Sequence, residues 1–422
     1  MTCDVAIIGA GAAGIAAARV LLARGFSVQM LEAGPRPGGR AFTESASLGA
    51  AFDHGASWLH DAEANPLTPL AEQLGFTFHR QPSRTKEGLM LGGRRASAAE
   101  RADYLHAIQA AEAAFGAATG GADRDCAGLL PPGPWRATVA HWLGNIINGA
   151  PLHEISVQDY VAIDLHGENW QLAEGLGALV VRLAQGLPLR LNTPASRVDW
   201  SGALPEVTTP AGTLRARAVL VTVSTAVLAA GGLRFSPALP VAVQQAIQGL
   251  PLGLLSKVAL RLAPGALAGL PAFSRFERPA ADGTDAPMTF LLRPFGHDHL
   301  VGFIGGARAW ALAREGPAAS EAFCRAELAC HLGAAEVARA VLPGGTATAW
   351  AQNPCFLGAY SHAVPGAAGA RGVLREAALA GGRLRFAGEA CHPSHAATLG
   401  GAWASGVAAA ESLALTLAPA GR

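Results

Sequence analysis

Residues 4–45 read "DVAIIGAGAAGIAAARVLLARGFSVQMLEAGPRPGGRAFTES", and this stretch decides how the chain begins to fold. Gly9, Gly11 and Gly14 form the pattern G-x-G-x-x-G. The apolar run before them predicts a strand buried on both faces, and the Ala-rich run after them predicts a helix. A second apolar run ends in Glu32 and completes a predicted β-α-β unit.

The spacing of these residues predicts a dinucleotide site. The first glycine permits a tight turn, the second lets the backbone approach a pyrophosphate, and the third lets helix and strand pack closely. Phosphates would lie at the helix N-terminus, where free N–H groups and the helix dipole favour anions. Glu32 would accept hydrogen bonds from a ribose 2′-hydroxyl and repel a 2′-phosphate, which favours FAD or NAD over NADP. The structural alternative is a glycine turn needed only for packing.

The residues after the second strand favour FAD over NAD. Gly38, Gly39 and Arg40 would add backbone N–H groups and a cation beside the pyrophosphate. Two later glycine-containing stretches, "GFIGGAR" and "TLGGAWASG", do not match a second nucleotide fingerprint. With one dinucleotide site, the simpler interpretation is a flavin held through the whole cycle, whose electrons leave to oxygen or to a protein acceptor.

Composition excludes several other classes of function. The chain has 422 residues, 50% of them hydrophobic and 15% charged, and a formal net charge of +1. This composition predicts a large globular protein without the charge needed to bind nucleic acid or an anionic membrane. Six scattered cysteines without a C-x-x-C pair indicate reduced thiols in a cytoplasmic protein and no metal site. We find no signal segment and no long uncharged apolar run, so we expect no membrane span.

The pattern of elements predicts an α/β fold with two domains. Short β-branched strands with turn signals return in two later parts of the chain, separated by mixed segments. We therefore predict a Rossmann-like FAD-binding domain assembled from three chain segments, with an inserted α+β substrate-binding domain. The predicted FAD-binding domain comprises residues 1–60, 185–245 and 376–422, and the substrate-binding domain comprises residues 61–184 and 246–375.

Four motifs follow one another along nearly the whole chain. They are "RPGGRAFT", "DHGASWLHDAEANPLTPLAEQLG", "VLVTVSTAVLAAGGLRFSPALP" and "LRFAGEACHPSHAATLGGAWASGVAAAES". Together they resemble motifs of the flavin-dependent amine oxidase family, which includes monoamine and polyamine oxidases. The first and last resemble FAD motifs, and the second resembles the segment under the flavin ring, especially in members similar to polyamine oxidases. The third resembles the strand and turn where the chain leaves the FAD domain.

The resemblance implies FAD as cofactor and a set of residues that hold it. Family members that link FAD covalently use a cysteine just before an active-site tyrosine; here Ala359 precedes Tyr360, so we expect non-covalent FAD. The backbone of Val198 matches the position that binds adenine, and Glu389 matches a carboxylate that binds the ribityl chain. The expected cofactor-binding residues are Gly9, Gly11, Ala12, Ala13, Gly14, Glu32, Ala33, Gly39, Arg40, Gly55, Ala56, Ser57, Trp58, Val198, Gly388, Glu389, Thr398, Leu399 and Ala402. The last helix would direct its N-terminus at the flavin pyrimidine.

Lys257 is the expected catalytic residue. It lies in an apolar strand pattern, and the chain has 30 arginines but only two lysines. A buried lysine can lose its proton, whereas arginine cannot. In the family the matching lysine holds a water at flavin N5, and a cation there would stabilise superoxide as oxygen takes the first electron. The structural alternative is a lysine at a strand end whose ammonium reaches solvent.

Tyr360, Trp350, Thr398 and His60 are the expected substrate-binding residues. The resemblance makes Tyr360 one wall of an aromatic cage, whose π face suits an amine nitrogen, and places Trp350 close to the flavin. The family's second cage tyrosine would fall at Thr398, and this departure disfavours a simple arylalkyl monoamine and favours a bulkier or differently shaped amine. His60 matches a polar pocket position of some polyamine oxidases. Core aromatics and a hydrogen-bonded loop histidine are the structural alternatives.

The charged residues near His60 do not decide whether the substrate carries a second cationic group. Asp61, Asp164 and Glu168 would suit the second cationic end of a substrate, although most such acids face water. The segment "GASWLHDAEANP" contains no arginine where amino-acid oxidases of the superfamily bind a carboxylate, which disfavours that activity.

We therefore expect an FAD-dependent oxidase that transfers hydride from the α-carbon of an amine to flavin N5, gives an imine that hydrolyses, and reduces O2 to H2O2. The expected partners are a small-molecule amine and O2, without nucleic acid or membrane, in a monomer or homodimer. The alternatives are a superfamily dehydrogenase or desaturase, an L-amino-acid oxidase, and a non-catalytic FAD-binding protein. Lys257 and Tyr360 disfavour the desaturase, whereas Thr398 favours the non-catalytic protein.

Overall fold

A large sheet built from distant parts of the chain dominates the computed structural model, which describes residues 2–81 and 88–418. The strands are Thr2–Ile8, Val28–Leu31, Thr43–Glu44, Phe52–Asp53, Phe78–Gln81, Met90–Leu91, Arg94–Arg95, Asn169–Leu172, Leu189–Arg190, Arg197–Asp199, Glu206–Thr209, Gly212–Val221, Arg234–Ser236, Leu255–Leu262, Arg275–Phe276, Thr289–Leu292, His299–Gly305, Val341–Ala347 and Leu384–Phe386.

Helices pack against both sheets and alternate with loops in residues 60–185. The α-helices are Ala12–Ala23, Thr68–Gln73, Ala98–Ala117, Arg136–Ala140, Val157–Ala162, Leu176–Leu183, Thr225–Ala229, Val241–Gln248, Gly306–Glu315, Pro317–Leu332, Ala334–Ala340, Ala370–Glu376, Leu379–Gly382 and Leu399–Leu417. The 3-10 helices are Ala127–Leu129, Leu152–Glu154, Pro294–Gly296 and Glu389–Cys391, and His141–Ile146 is a π-helix. In the described part of the chain, no helix combines the length and apolarity needed to cross a membrane.

The large sheet has eight strands, and its centre is parallel. Strand Thr2–Ile8 lies between Val28–Leu31 and Gly212–Val221 and is parallel to both. Strand Leu384–Phe386 pairs in parallel with Gly212–Val221, so the sheet draws strands from three separated parts of the chain. This arrangement confirms the predicted α/β, Rossmann-like fold class. The exact domain boundaries stay a prediction.

The predicted β-α-β unit is present at the start of the chain. Helix Ala12–Ala23 ends before Gly25, which adopts φ +84° as the helix terminus requires. An added Cβ on Gly14 would lie 2.1 Å from the carbonyl oxygen of Gly9, so a side chain there would separate helix from strand. The third glycine of the pattern therefore serves close packing.

The second sheet has five antiparallel strands from the region between residues 255 and 347. Strand Leu255–Leu262 lies between His299–Gly305 and Val341–Ala347. Helix Pro317–Leu332 packs on one face through the buried Cys324 and Leu328. The opposite face is available to line a cavity.

Candidate active site

A cavity of about 830 Å³ is lined by residues of both sheets and of the segment 142–169. Its wall includes the glycine turn, the residues around Gly55, Lys257 and the N-terminus of helix Leu399–Leu417. The two predicted site residues that do not line it are Gly14 and Val198. All other predicted cofactor, catalytic and substrate residues do, although they come from parts of the chain more than 300 residues apart.

Val198 lies away from the cavity wall. It is fully buried in the core and sits in a strand that pairs with strands on both sides. The nearby Pro194 and Ala195 line the cavity instead. The adenine contact expected at Val198 therefore finds no support in the lining of the cavity.

The glycine turn has the features that an anionic pyrophosphate requires. Gly11 is the N-cap of helix Ala12–Ala23 and supplies no side-chain acceptor, so first-turn N–H groups of the helix are left for a ligand. An added Cβ on Gly11 would meet no atom within 4 Å, which shows that the turn opens onto the cavity. The residues present therefore fit the predicted nucleotide.

Glu32 is fixed at the edge of the same turn. It is 7% exposed, and its carboxylate accepts hydrogen bonds from the N–H of Ala10 and the N–H of Gly34, each at 2.8 Å. These two bonds hold the carboxylate where it lines the cavity, so a ribose hydroxyl could donate to its remaining lone pairs.

Lys257 is buried at the cavity wall, with 4% of its surface exposed. Its Nζ donates to the carbonyl oxygens of Asp53 at 2.7 Å and Gly55 at 2.5 Å, and to the hydroxyl of Ser57. Burial lowers the pKa of Lys257 to about 8, while the nearby Asp53 raises it. Three acceptors match the three N–H donors of an ammonium group, so the geometry supports the charged form.

The register of the second sheet explains which side chains accompany Lys257. Lys257 pairs with Phe303, and Phe303 pairs with Thr289 on the next strand. Side chains directly across antiparallel strands share a face, and the face repeats every second residue. Leu255 and Leu291, each two residues along its strand, therefore also line the cavity.

Glu389 lies in a buried network of charges and hydrogen bonds. Its carboxylate accepts from Arg40 Nη1 at 3.1 Å, from the Ser361 hydroxyl at 2.7 Å and from the N–H of Ala397 at 3.1 Å. Burial raises the pKa of Glu389, but Arg40, Arg371 and Ser361 outweigh it and hold the pKa below its usual range. The carboxylate is therefore ionised and oriented where it lines the cavity.

The same network continues to an ion pair that the sequence did not reveal. Arg371 donates to Ser361 Oγ at 2.8 Å and binds both carboxylate oxygens of Asp159, at 2.7 and 2.9 Å. Both side chains are 3% exposed. The ion pair thus connects helix Val157–Ala162 to the segment that holds Glu389.

Tyr360 lines the cavity and is tied to the π-helix beside it. Its hydroxyl donates to the carbonyl oxygen of Ile147 at 3.0 Å, just after the π-helix His141–Ile146. A π-helix shifts the usual hydrogen bonding by one residue and commonly marks a functional site. Burial raises the pKa of Tyr360 well above its usual value, so the phenol stays neutral.

Thr398, Trp350 and His60 also line the cavity. The hydroxyl of Thr398 caps helix Leu399–Leu417, because it accepts from the N–H of Gly401 at 2.9 Å. Trp350 is 6% exposed and packs edge-on against Phe356, with ring centroids 5.2 Å apart. His60 Nδ1 lies 2.8 Å from Asn169 Oδ1. Their roles toward a substrate stay predictions.

The sequence did not point to much of the apolar wall of the cavity. These residues are Trp142, Ile146, Ile147, Ile163, Leu165, Leu255, Leu291 and Phe303; we call them the apolar wall. They carry no motif, because each is an ordinary hydrophobic residue in its own segment. Alternation along the strands is a sequence signal that could have placed Leu255, Leu291 and Phe303 on the face of Lys257.

A family model matches most of the chain, including residues of the site. Residues 12–116 and 142–414 match the model described as flavin containing amine oxidoreductase. The two matched ranges include Gly14, Lys257 and Glu389.

Several histone demethylases are similar in sequence. Lysine-specific histone demethylase 1 homolog 2 of Arabidopsis thaliana is 28% identical over 454 residues, which cover 97% of this chain and 58% of that protein. Lysine-specific histone demethylase 2 of Homo sapiens is 29% identical over 288 residues, which cover 61% of this chain and 34% of that protein. The chain spans about half the length of these relatives or less.

Two solved structures share the fold along the whole chain. Cyclohexylamine oxidase from Brevibacterium oxydans has a TM-score of 0.83 at 22% identity and covers 98% of this chain and 99% of its own. Wild-type putrescine oxidase bound to putrescine has a TM-score of 0.79 at 19% identity and covers 97% of this chain and 98% of its own. At these identities the likeness concerns the fold.

Proposed function

The chain belongs to the family of flavin-containing amine oxidoreductases, and we propose that it oxidises a small-molecule amine with O2 as the electron acceptor. FAD, the cofactor of this family, would accept a hydride from the α-carbon of the amine, and the two electrons would then reduce O2 to H2O2. The observation that carries the proposal is a single cavity that is lined both by the nucleotide turn and by a buried lysine among aromatic rings.

The nucleotide half of the cavity would hold the cofactor. Backbone N–H groups at the start of helix Ala12–Ala23 would bind the pyrophosphate, and Glu32 would accept from the ribose. Glu389, kept ionised by Arg40 and Arg371, would accept from hydroxyl groups farther along the cofactor. We propose that Lys257 places a positive charge beside the reacting centre.

The apolar wall would bind the amine and exclude water. An apolar surrounding disfavours the ammonium form of the substrate, because it cannot solvate the charge. A neutral amine has the nitrogen lone pair that assists departure of hydride from the α-carbon. The chain therefore needs no strong general base at the α-carbon, and the imine product is hydrolysed by water.

The proposal is tested by anaerobic titration of the purified yellow protein with primary, secondary and polyamines, followed by flavin absorbance. Cyclohexylamine and 1-methylcyclohexylamine form a matched pair, because only the first has a hydrogen on the carbon that bears nitrogen. We expect at least one amine with an α-hydrogen to bleach the flavin, and its α-methylated counterpart to leave the absorbance unchanged. A colourless protein, or a flavin that no amine bleaches, would refute the proposal.

A further inference from the structure

We infer, resting on the proposed function, that the substrate is a monoamine with an apolar body and that diamines and polyamines are poor substrates. The inference depends on the apolar wall and on the positions of the nearby carboxylates. It narrows the substrate to a compound that carries a single nitrogen on an apolar group.

In the segment after helix Val157–Ala162, apolar side chains line the cavity and charged side chains face solvent. Ile163 and Leu165 line the cavity, whereas Asp164 and His166 do not. Asp164 and His166 approach each other to 3.3 Å, with side chains 67% and 91% exposed. The segment therefore presents alkyl groups to the substrate and leaves its carboxylate in water.

The two other acids expected near a second cation also have partners outside the cavity. Asp61 Oδ2 lies 3.3 Å from His395 Nε2, and Glu168 accepts from the indole N–H of Trp170 at 2.7 Å. Neither acid lines the cavity. Because neither residue lines the cavity, neither carboxylate is placed to pair with a second substrate nitrogen there.

Within residues 2–81 and 88–418, the carboxylates that line the cavity are Glu32 and Glu389. Each already accepts hydrogen bonds from two backbone N–H groups, and each belongs to the proposed cofactor site. Lys257 and Arg275 also line the cavity, and both carry positive charge. Arg275 is partly balanced by Glu277.

Two asparagines beside the apolar wall have partners in the protein. Asn148 Nδ2 donates to the carbonyl oxygen of Leu143 at 2.7 Å, and Asn169 Oδ1 lies 2.8 Å from His60 Nδ1. A terminal ammonium would lose its water without gaining a carboxylate, which is strongly unfavourable. To bind uncharged, an aliphatic ammonium with a pKa near 10.4 would have to lose its proton, and only about one molecule in 2,500 has done so at pH 7.

The test compares hexylamine with hexane-1,6-diamine, which differ only in the terminal nitrogen. Oxygen consumption by the holoenzyme at pH 7 gives kcat/KM for each, and quenching of tryptophan fluorescence gives binding, since Trp58, Trp142 and Trp350 line the cavity. We expect kcat/KM at least about 100-fold lower for the diamine, together with weaker binding. Equal or better kcat/KM, or equal binding, for the diamine would overturn the inference.

A pair of variants tests the direction of the side chains. Leu165→Glu adds a carboxylate on the cavity side, and His166→Glu adds the same carboxylate one residue away on the solvent side. We expect L165E to lower the ratio of hexylamine to diamine kcat/KM by about tenfold or more, while H166E leaves it within about twofold of the unchanged protein. If H166E lowers this ratio as much as L165E does, the inference is overturned.

The two proposals fail in different ways. If no amine bleaches the flavin, the proposed oxidase function is wrong, and the fluorescence titration still compares binding of the two amines. If the diamine is oxidised as well as hexylamine, the oxidase function stands and the monoamine class is wrong.

Discussion

Lys257 combines burial, a shifted pKa and three hydrogen bonds at one atom. Its strand is apolar except for Ser256 and Arg261, and its Nζ lies 5.7 Å from the ring centre of Trp58 and 5.9 Å from that of Phe303. Burial favours the neutral amine, whereas the acceptors on Asp53, Gly55 and Ser57 favour the ammonium. Because burial and these acceptors act in opposite directions, the Lys257 ammonium can lose its proton near neutral pH.

Lys257→Met removes the charge and keeps most of the side-chain volume. If the ammonium assists electron transfer to oxygen, its contribution is present below a pKa of about 8 and is lost as pH rises through that value. We expect the oxygen-dependent step to slow in the unchanged protein above about pH 8, and to be roughly 100-fold slower and independent of pH in the variant. Stopped-flow mixing of the amine-reduced protein with oxygen measures both.

The control for this variant is the anaerobic step. Bleaching by the amine should stay within about tenfold of normal, because Lys257 is proposed to act on the oxygen step. Identical oxygen rates and pH profiles in the two proteins would show that the lysine has only a structural role.

Helix Val157–Ala162 contributes to the site through one buried ion pair. Asp159 binds Arg371 in a bidentate manner, and Arg371 in turn contacts Ser361, which holds Glu389. Both charges of the pair are removed from water, so each depends on the other for stabilisation. The helix thereby supports a carboxylate that it does not itself contact.

Arg371→Met leaves the carboxylate of Asp159 buried without its cation. We expect a loss of about 3–5 kcal/mol in the free energy of unfolding, measured by urea denaturation of the holoenzyme, together with weaker retention of FAD. The double variant Asp159→Leu, Arg371→Met removes both charges and should recover part of this loss. A single variant as stable as the unchanged protein would contradict the account.

A single ligand in the cavity would contact residues of both sheets. Its wall takes residues from strand Thr2–Ile8 of the large sheet and from strand Leu255–Leu262 of the second sheet. A ligand that fills such a cavity binds the folded chain and not the unfolded one, so it stabilises the fold as a whole.

Removal of FAD should therefore destabilise the whole molecule. At a free FAD concentration 1,000 times its dissociation constant, the bound form gains about 4 kcal/mol over the apoprotein. We expect the apoprotein to melt several degrees lower, and added FAD to restore the melting temperature in proportion to the logarithm of its concentration. Calorimetry over a series of FAD concentrations checks this, and a melting temperature independent of FAD would contradict it.

The sequence by itself determined the nucleotide turn, the fold class and the family. The turn was predictable because its strand, glycines, helix and Glu32 are neighbours in the chain, and each has a local conformational reason. Lys257 stood out because lysine is rare here and its strand is mostly apolar. The resemblance to the family added the Glu389 segment and Tyr360.

Only the tertiary structure decided the wall of the cavity and the partners of the buried charges. Leu165 and Asp164 are adjacent in sequence, yet one lines the cavity and the other faces water. The Asp159–Arg371 pair joins residues 212 positions apart, and no local pattern predicts such a contact. Side-chain direction follows from strand register and from packing between distant segments, and neither is encoded in a short stretch of chain.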